Sequence, residues 1–134
     1  MFYDEETLVV KPSYSDKELV VMLRNDGYSA VDIAGEHFIR VRIDGDQYLL
    51  FNGNRGELQL SWMVSDVDVS LNVINRWNAH YRLARAYYAD DREYLALQFD
   101  LFSGVGLAEE QILEYIKKFL RIVREFKEFL SKYV

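Results

Sequence analysis

The side chain best suited to chemistry in this sequence is His80, which lies in a strongly basic segment. Arg76, Arg82 and Arg85 surround it, and no acidic residue occurs between Arg76 and Ala89. A basic segment of this kind is typical of a site that attracts an anion. General acid–base catalysis also needs a second positioned group, and no spacing in the sequence supplies one. We therefore predict that His80 lies at a helix end or on the surface and is not a general base.

Three further motifs resemble ligand sites but lack the residues that such sites need. His37 follows Glu36 without a second histidine at metal-binding spacing. The segment Asp44–Asp46 begins like a calcium loop, but an apolar strand pattern follows at once, which predicts a hairpin turn. After Gly104–Gly106, Glu109 takes the place of a third glycine and would repel phosphate, so we predict an ordinary turn between strand and helix. The sequence predicts no catalytic residue, no cofactor and no metal site.

The composition disfavours several classes of protein. The chain has 134 residues, no cysteine and a formal net charge of −6. The lack of cysteine excludes disulfide frameworks and thiol nucleophiles, and the acidic balance disfavours nucleic acid and anionic membranes as partners. No apolar run approaches the roughly 18 residues that span a bilayer, and the first residues show no signal-peptide pattern. We therefore expect a single cytoplasmic domain that does not contact a membrane.

The first predicted helix has a start that is marked by a capping box. Ser15 and Glu18 have the spacing in which each side chain satisfies a backbone amide of the other, and Gly27 suits the residue that follows a helix end. From about residue 31 to 63 apolar and polar residues alternate, which predicts three antiparallel strands joined by short turns. Residues 1–14 are predicted to form an arm or an edge strand ahead of a single domain over residues 15–134.

The second half of the chain adds a helix, two strands and a last helix. Ser65 or Asp66 is expected to cap a helix over residues 67–78, and alternate apolar residues from Leu95 to Leu101 predict a core-facing strand. The last helix begins near Glu109 and carries apolar residues at alternating spacings of four and three. The predicted fold class is therefore α+β, an antiparallel five-stranded sheet with three helices in the order αβββαββα.

Two surfaces are candidates for partner binding. The apolar stripe of the last helix is wide, and Tyr115, Ile122 and Phe129 on its flanks either complete the core or contribute to a dimer or partner contact. The side of the predicted sheet away from the core mixes rings, arginines, amides and a carboxylate, from Phe38, Arg40, Arg42, Gln59, Ser61, Tyr94, Gln98 and Asp100. Such a face is solvated, binds a protein, or stacks single-stranded nucleic acid.

The segment at 74–106, INRWNAHYRLARAYYADDREYLALQFDLFSGVG, resembles the YbjN family of bacterial sensory transduction regulators. Members show a similar Asn-x-Trp-Asn helix end, an Arg-Ala-Tyr strand, an acidic turn, an apolar strand and a glycine-containing turn before a long last helix. The family shares the order αβββαββα with type III secretion chaperones, and the resemblance in topology extends over about residues 15–130. Paired glycines are common in members where this chain has Gly104-Val105-Gly106.

The resemblance implies a non-enzymatic homodimer that binds another protein or regulates a pathway, and it brings no catalytic residues with it. Asn75, Trp77 and Asn78 carry much of the likeness, and at the end of an amphipathic helix we expect them to have structural roles. Our leading hypothesis is a chaperone-like or regulatory adaptor that homodimerises and binds an unidentified partner protein. The alternative, from another class, is an accessory nucleic-acid-binding protein that uses the arginines and rings of the sheet face. A small-molecule enzyme built around His80 is the least favoured hypothesis.

Overall fold

The computed structural model describes residues 9–53, 56–89 and 91–133. These residues form three helices, α1 (Asp16–Asn25), α2 (Leu71–His80) and α3 (Glu109–Leu130). They also form eight strands, β1 (Val10–Lys11), β2 (Val31–Gly35), β3 (Phe38–Ile43), β4 (Asp46–Asn52), β5 (Glu57–Ser65), β6 (Arg85–Ala89), β7 (Tyr94–Phe102) and β8 (Leu107–Ala108). The fold is α+β with three helices and antiparallel strand pairing, as the sequence predicts.

Six of these strands form one antiparallel sheet in the order β2-β3-β4-β5-β7-β6. Short turns connect β2 to β3 and β3 to β4, and β5 follows β4 along the chain. Asp44 and Gly45, in the β3–β4 turn, have φ angles of 51° and 83°, the left-handed pair that a two-residue hairpin requires. β5 and β7 pair along all nine residues of each strand. After β5 the chain passes through α2 to β6 at the sheet edge and then returns as β7, which lies between β5 and β6.

Alternate residues of the sheet point toward the helices and form what we call the inner face. Leu23 of α1 and Phe119 of α3 line one small space together with Tyr48 of β4. α2 reaches the same core through Trp77, whose ring packs edge-on against Phe126 of α3 with centroids 4.7 Å apart. All three helices therefore pack on the inner face, and the buried apolar residues form one cluster.

The start and end of α1 follow the predicted signals. The Glu18 amide donates to Ser15 Oγ at 3.1 Å, and the Ser15 amide donates to the Glu18 carboxylate at 2.8 Å. These two hydrogen bonds satisfy backbone donors that the first helical turn leaves unpaired. The helix ends at Asn25, and Gly27 has a φ angle of 104°, which glycine adopts without a steric penalty. The predicted capping box and helix end are confirmed.

β1 and β8 attach the N-terminal segment to the start of α3. Val10 pairs with Ala108, and Lys11 pairs with Leu107. The Tyr14 side chain is buried, and its hydroxyl donates to the Leu107 carbonyl at 2.5 Å. The arm or edge strand predicted over residues 1–14 falls partly outside the described residues. Within them, β1 forms a two-stranded sheet with β8, apart from the main sheet.

The structure corrects two parts of the predicted topology. The main sheet has six strands rather than five, because the short segment Val31–Gly35 pairs with β3 and adds an edge strand, β2. α2 begins at Leu71 with Ser70 as its N-cap, rather than at Ser65 or Asp66. Asp66 has a φ angle of 63°, which a continuing helix does not allow. The element order of the described residues is βαββββαβββα.

Candidate interaction surface

The side of the sheet opposite the helices, which we call the outer face, carries most of the candidate residues. The strand register aligns one residue from each strand in a row across this face, namely Asp32, Arg40, Leu49, Ser61, Gln98 and Arg85. A neighbouring row contains Phe38, Phe51, Gln59 and Asp100. Alternation also places Arg42 and Tyr94 on this face. The structure therefore brings together all eight residues that the sequence predicts for this side of the sheet.

Arg40 is paired with a carboxylate on the adjacent strand. Its Nε and Nη2 donate to the two carboxylate oxygens of Asp32, at 3.1 and 2.5 Å. This two-point contact matches the planar guanidinium to the carboxylate, and the hydrogen bond from Arg40 lowers the pKa of the Asp32 carboxyl. Arg42 is exposed and forms no ion pair with a described residue. Of the two arginines on β3, only Arg42 presents a charge that the described part of the chain leaves uncompensated.

Asp100 accepts hydrogen bonds from three strands, in what we call the Asp100 network. Arg85 Nη1 donates to its Oδ2 at 2.8 Å, while Gln59 and Gln98 donate to its Oδ1 at 3.1 and 3.2 Å. The Tyr87 hydroxyl donates to Gln98 Oε1 at 2.5 Å. Burial raises the pKa of Asp100, but the hydrogen bonds and the Arg85 charge outweigh it, so the net pKa is lowered. The network keeps Asp100 ionised and pairs Arg85 within the chain.

Aromatic side chains occupy the part of the outer face beside the Asp100 network. The rings of Phe38 and Phe51 contact each other with centroids 5.1 Å apart. Phe102, near the end of β7, is 65% exposed. An open hollow of about 370 Å³ lies between Phe51 and Phe102 and includes Gln59 and Asp100 in its lining. The outer face thus presents the exposed rings of Phe38 and Phe102 next to the Asp100 network, in which Arg85 and Asp100 are paired.

The α3 residues that the sequence nominates are not all on the surface. Tyr115 is 39% exposed, and its ring packs edge-on against Phe99 at 5.8 Å between centroids. Ile122 and Phe129 are only 5% and 6% exposed and belong to the core. Phe129 lies against the Trp77 ring, with centroids 5.4 Å apart. Because α2 packs beside α3, the wide apolar stripe is used inside the chain, which corrects the assignment of Ile122 and Phe129 to an interaction surface.

The motifs that resemble ligand sites have structural contacts within the chain. His80 is exposed at the end of α2, and its Nδ1 lies 2.9 Å from the Arg76 carbonyl. Asp46 follows the β3–β4 turn and pairs with Lys127 of α3. His37 lies in the β2–β3 turn with a φ angle of 69°. Within residues 9–53, 56–89 and 91–133, no three acidic or histidine side chains are grouped to hold a metal ion.

Two residues of the Asn-x-Trp-Asn motif hold the edge of the sheet at β6. Asn78 Nδ2 donates to the Ala86 carbonyl at 2.9 Å, and the Ala86 amide donates to Asn78 Oδ1 at 2.8 Å. The fully buried Trp77 donates from Nε1 to the Ala84 carbonyl at 3.3 Å. Asn75 is exposed and makes no side-chain hydrogen bond to a described residue. The amide at the helix end signals capping in the sequence, but the sequence does not reveal that it pairs with a strand.

A two-layer α+β domain with helices on one face and an open outer face is the class that this geometry defines. The family model described as "YbjN: Putative bacterial sensory transduction regulator" matches residues 15–132, so the chain belongs to the YbjN family. No curated protein and no solved structure gives a significant match. The likeness to type III secretion chaperones therefore stays a prediction. Of the helices that the structure describes, none combines the length and apolarity that crossing a bilayer requires.

Proposed function

We propose that this chain is a non-enzymatic regulatory adaptor that binds a partner protein through the outer face of its sheet and associates with a second copy of itself. The observation that carries the proposal is the group of exposed Phe38 and Phe102 and partly buried Phe51, which lies beside the Arg40–Asp32 and Arg85–Asp100 ion pairs. Membership of a family described as regulators supports a regulatory rather than a catalytic role.

The paired charges make the outer face suitable for burial by a protein. A charge that enters an interface without a partner is costly, because it loses its hydration and gains no counter-charge. Arg40 and Asp100 already have counter-charges in Asp32 and Arg85, so a partner does not have to supply them. Exposed rings then provide the contact area, since aromatic residues dominate the energetics of protein interfaces. The partner surface that fits is apolar and carries little charge.

Nucleic acid fits this face less well. The outer face carries three arginines and three carboxylates, namely Arg40, Arg42, Arg85, Asp32, Glu57 and Asp100. Two of the arginines are bound to two of these carboxylates, so phosphate would have to displace a bound carboxylate to contact them. The net charge of −6 adds long-range repulsion. We therefore keep the nucleic-acid function as an alternative with less support.

The test compares partner capture by two matched variants. Phe102→Ser removes an exposed ring from the outer face, whereas Val105→Ser changes an 87% exposed apolar residue in the loop after β7. Proteins that the wild type and Val105→Ser retain, and that Phe102→Ser loses, are purified and titrated against all three chains. We expect Phe102→Ser to raise the Kd at least about tenfold, as loss of an aromatic anchor does.

Two outcomes would contradict the proposal. One is a purified partner that binds Phe102→Ser and the wild type with equal affinity, because the outer face would then not be the contact. The other is that no captured protein depends on Phe102 while circular dichroism shows that the variant is folded. A change in affinity with Val105→Ser alone would place the contact in the loop after β7.

A further inference from the structure

The two edges of the six-stranded sheet are protected differently. In an antiparallel edge strand, every second residue directs its backbone N–H and C=O away from the sheet. Just before β6, the Ala84 carbonyl accepts from Trp77 of α2, and within β6 both outward backbone groups of Ala86 are bonded to Asn78 of α2. α2 therefore blocks the addition of another strand at these positions, which is one way in which proteins protect a sheet edge.

β2, at the opposite edge, is open at Ile33. The Arg42 amide donates to the Ala30 carbonyl at 3.0 Å, so Ala30 is bonded to β3. Because bonded residues alternate along an antiparallel pair, Val31 and Ile33 direct their backbone N–H and C=O away from β3. Arg24 Nη2 donates to the Val31 carbonyl at 2.8 Å. No described residue hydrogen-bonds the outward N–H and C=O of Ile33, and its side chain is exposed. This edge therefore offers a free donor, a free acceptor and an apolar side chain at one residue.

We propose that a second copy of this chain pairs with β2 in antiparallel orientation, about a two-fold axis that passes beside Ile33. The inference rests on the self-association in the proposed function and names the surface that performs it. Each Ile33 donates its N–H to the carbonyl of the other Ile33, so one residue from each copy completes a reciprocal hydrogen-bonded pair. The two sheets become continuous, and neither copy keeps an open edge at β2.

The side chains around this axis suit a second copy of the same chain. With the two Ile33 residues opposite each other, their exposed side chains meet, and Asp32 lies opposite Ala34 rather than a like charge. Glu36, whose side chain is 88% exposed, then lies at the level of Arg24 of the second copy, because Arg24 is fixed at the other end of β2. The two-fold axis repeats this pair of opposite charges. Charge complementarity therefore favours a second copy.

A longer foreign strand would find few groups to pair with. β2 has five residues, and its register shifts between Ile33 and Gly35. The Val31 carbonyl, which a longer strand would need, is already bound to Arg24. A symmetric pair centred on Ile33 needs only the two groups that are free. Because the N–H and C=O of Ile33 are not bonded to a described residue whereas the Val31 carbonyl is, β2 favours a short contact with a second copy over pairing with a longer strand.

The first test is sedimentation velocity of the full chain at increasing concentration. Ile33→Lys puts a charge on the open edge, and Val105→Lys makes an equivalent change at an exposed apolar residue far from β2 in the chain. We expect the wild type to dimerise, Ile33→Lys to raise the dimer dissociation constant at least about tenfold, and Val105→Lys to leave it unchanged. Circular dichroism establishes that both variants are folded.

Two further measurements locate the contact at β2. Hydrogen exchange at the Ile33 amide should slow as the dimer fraction rises, because the N–H gains an acceptor only in the dimer. Glu36→Arg should weaken the dimer by placing like charges together, and adding Arg24→Glu to the same chain should restore part of the affinity. Both results require the predicted register.

The outcomes separate this inference from the proposed function. A dimer that Ile33→Lys leaves intact, or one in which exchange at the Ile33 amide does not change, would overturn the β2 pairing and leave self-association standing. A dimer lost with Phe102→Ser instead would move the contact to the outer face and overturn it as well. A chain that stays monomeric at every concentration would overturn both the pairing and self-association, while partner binding is tested separately with Phe102→Ser.

Discussion

Asp100 lies where three strands contribute polar side chains to an otherwise open sheet face. Its two carboxylate oxygens accept from Arg85, Gln59 and Gln98. Gln98 is buried on this face, and the bond from the Tyr87 hydroxyl satisfies the other end of its amide. The network therefore fixes side chains that would otherwise be mobile, and it does so without a helix to cover them.

The ionisation of Asp100 should contribute to stability at neutral pH. Its pKa in the folded chain lies below the ordinary value of 3.8, so folding favours the ionised form. This contribution is complete above that value and is lost as the pH falls through the lowered folded pKa. We expect Asp100→Asn to lower the free energy of unfolding by about 1 kcal/mol at neutral pH, a small figure because the half-exposed side chain is screened by solvent. Urea unfolding of both chains at several pH values measures the difference.

The matched control for this prediction is Asp68→Asn, since the Asp68 side chain is 97% exposed. It should leave the unfolding free energy nearly unchanged at every pH. The difference between the wild type and Asp100→Asn should shrink under acid conditions, where both carry a neutral side chain. A difference that stays constant from neutral to acid pH would show that ionisation of Asp100 is not coupled to folding.

At the scale of elements, those with a local chemical signal are predictable from the sequence. The capping box of Ser15 and Glu18 fixes the start of α1, and Asp44-Gly45 fixes the β3–β4 hairpin. The outer-face residues of β3, β5 and β7 are also predictable, because side chains in a strand alternate strictly between two faces. These features depend on neighbouring residues, which is why the sequence alone suffices.

Elements defined by tertiary contacts are not predictable in the same way. β2 shows only a short alternation at Val31 and Ile33 before Gly35, and its pairing with β3 is what makes this segment a strand. The flank of α3 is a similar case, since Phe129 is packed against Trp77 of α2 and Tyr81 at its end. The pairing of Asn78 with a strand likewise depends on where α2 ends relative to β6. In each case the contact that determines the structure involves a residue that is distant in the sequence or belongs to another element.

The junction of α2 with β6 leads to a prediction at this scale. Asn78→Ala removes two hydrogen bonds to Ala86 and leaves the outward backbone groups of β6 open at that residue. We expect the free energy of unfolding to fall by about 1–3 kcal/mol, and the Ala86 amide to exchange faster. Asn75→Ala is the control, because Asn75 lies on the same helix and is exposed. Urea unfolding and hydrogen exchange measure both effects, and equal behaviour of the two variants would contradict the assigned role of Asn78.

At the scale of the whole molecule, its surfaces can serve separate contacts. The inner face is filled by the helices, and α2 covers the sheet edge at the start of β6. A dimer formed through β2 would leave the outer face of each copy open and join the two faces into one longer surface. A partner that contacts both copies would then bind more tightly than either face alone allows, because the second contact becomes intramolecular. The proposed dimer and the proposed partner contact are therefore compatible.

The charge balance of the molecule predicts which class of polymer it binds. We expect no salt-dependent binding of a labelled single-stranded oligonucleotide, because Arg40 is held by Asp32 and the chain carries a net charge of −6. Fluorescence anisotropy at low and high salt measures this for the wild type and for the double variant Arg40→Glu/Arg42→Glu. The affinity for the partner protein should change little with salt, since the arginine and carboxylate charges of the outer face largely cancel. Binding of single strands at low salt that disappears in the double variant would contradict the adaptor proposal and favour the nucleic-acid alternative.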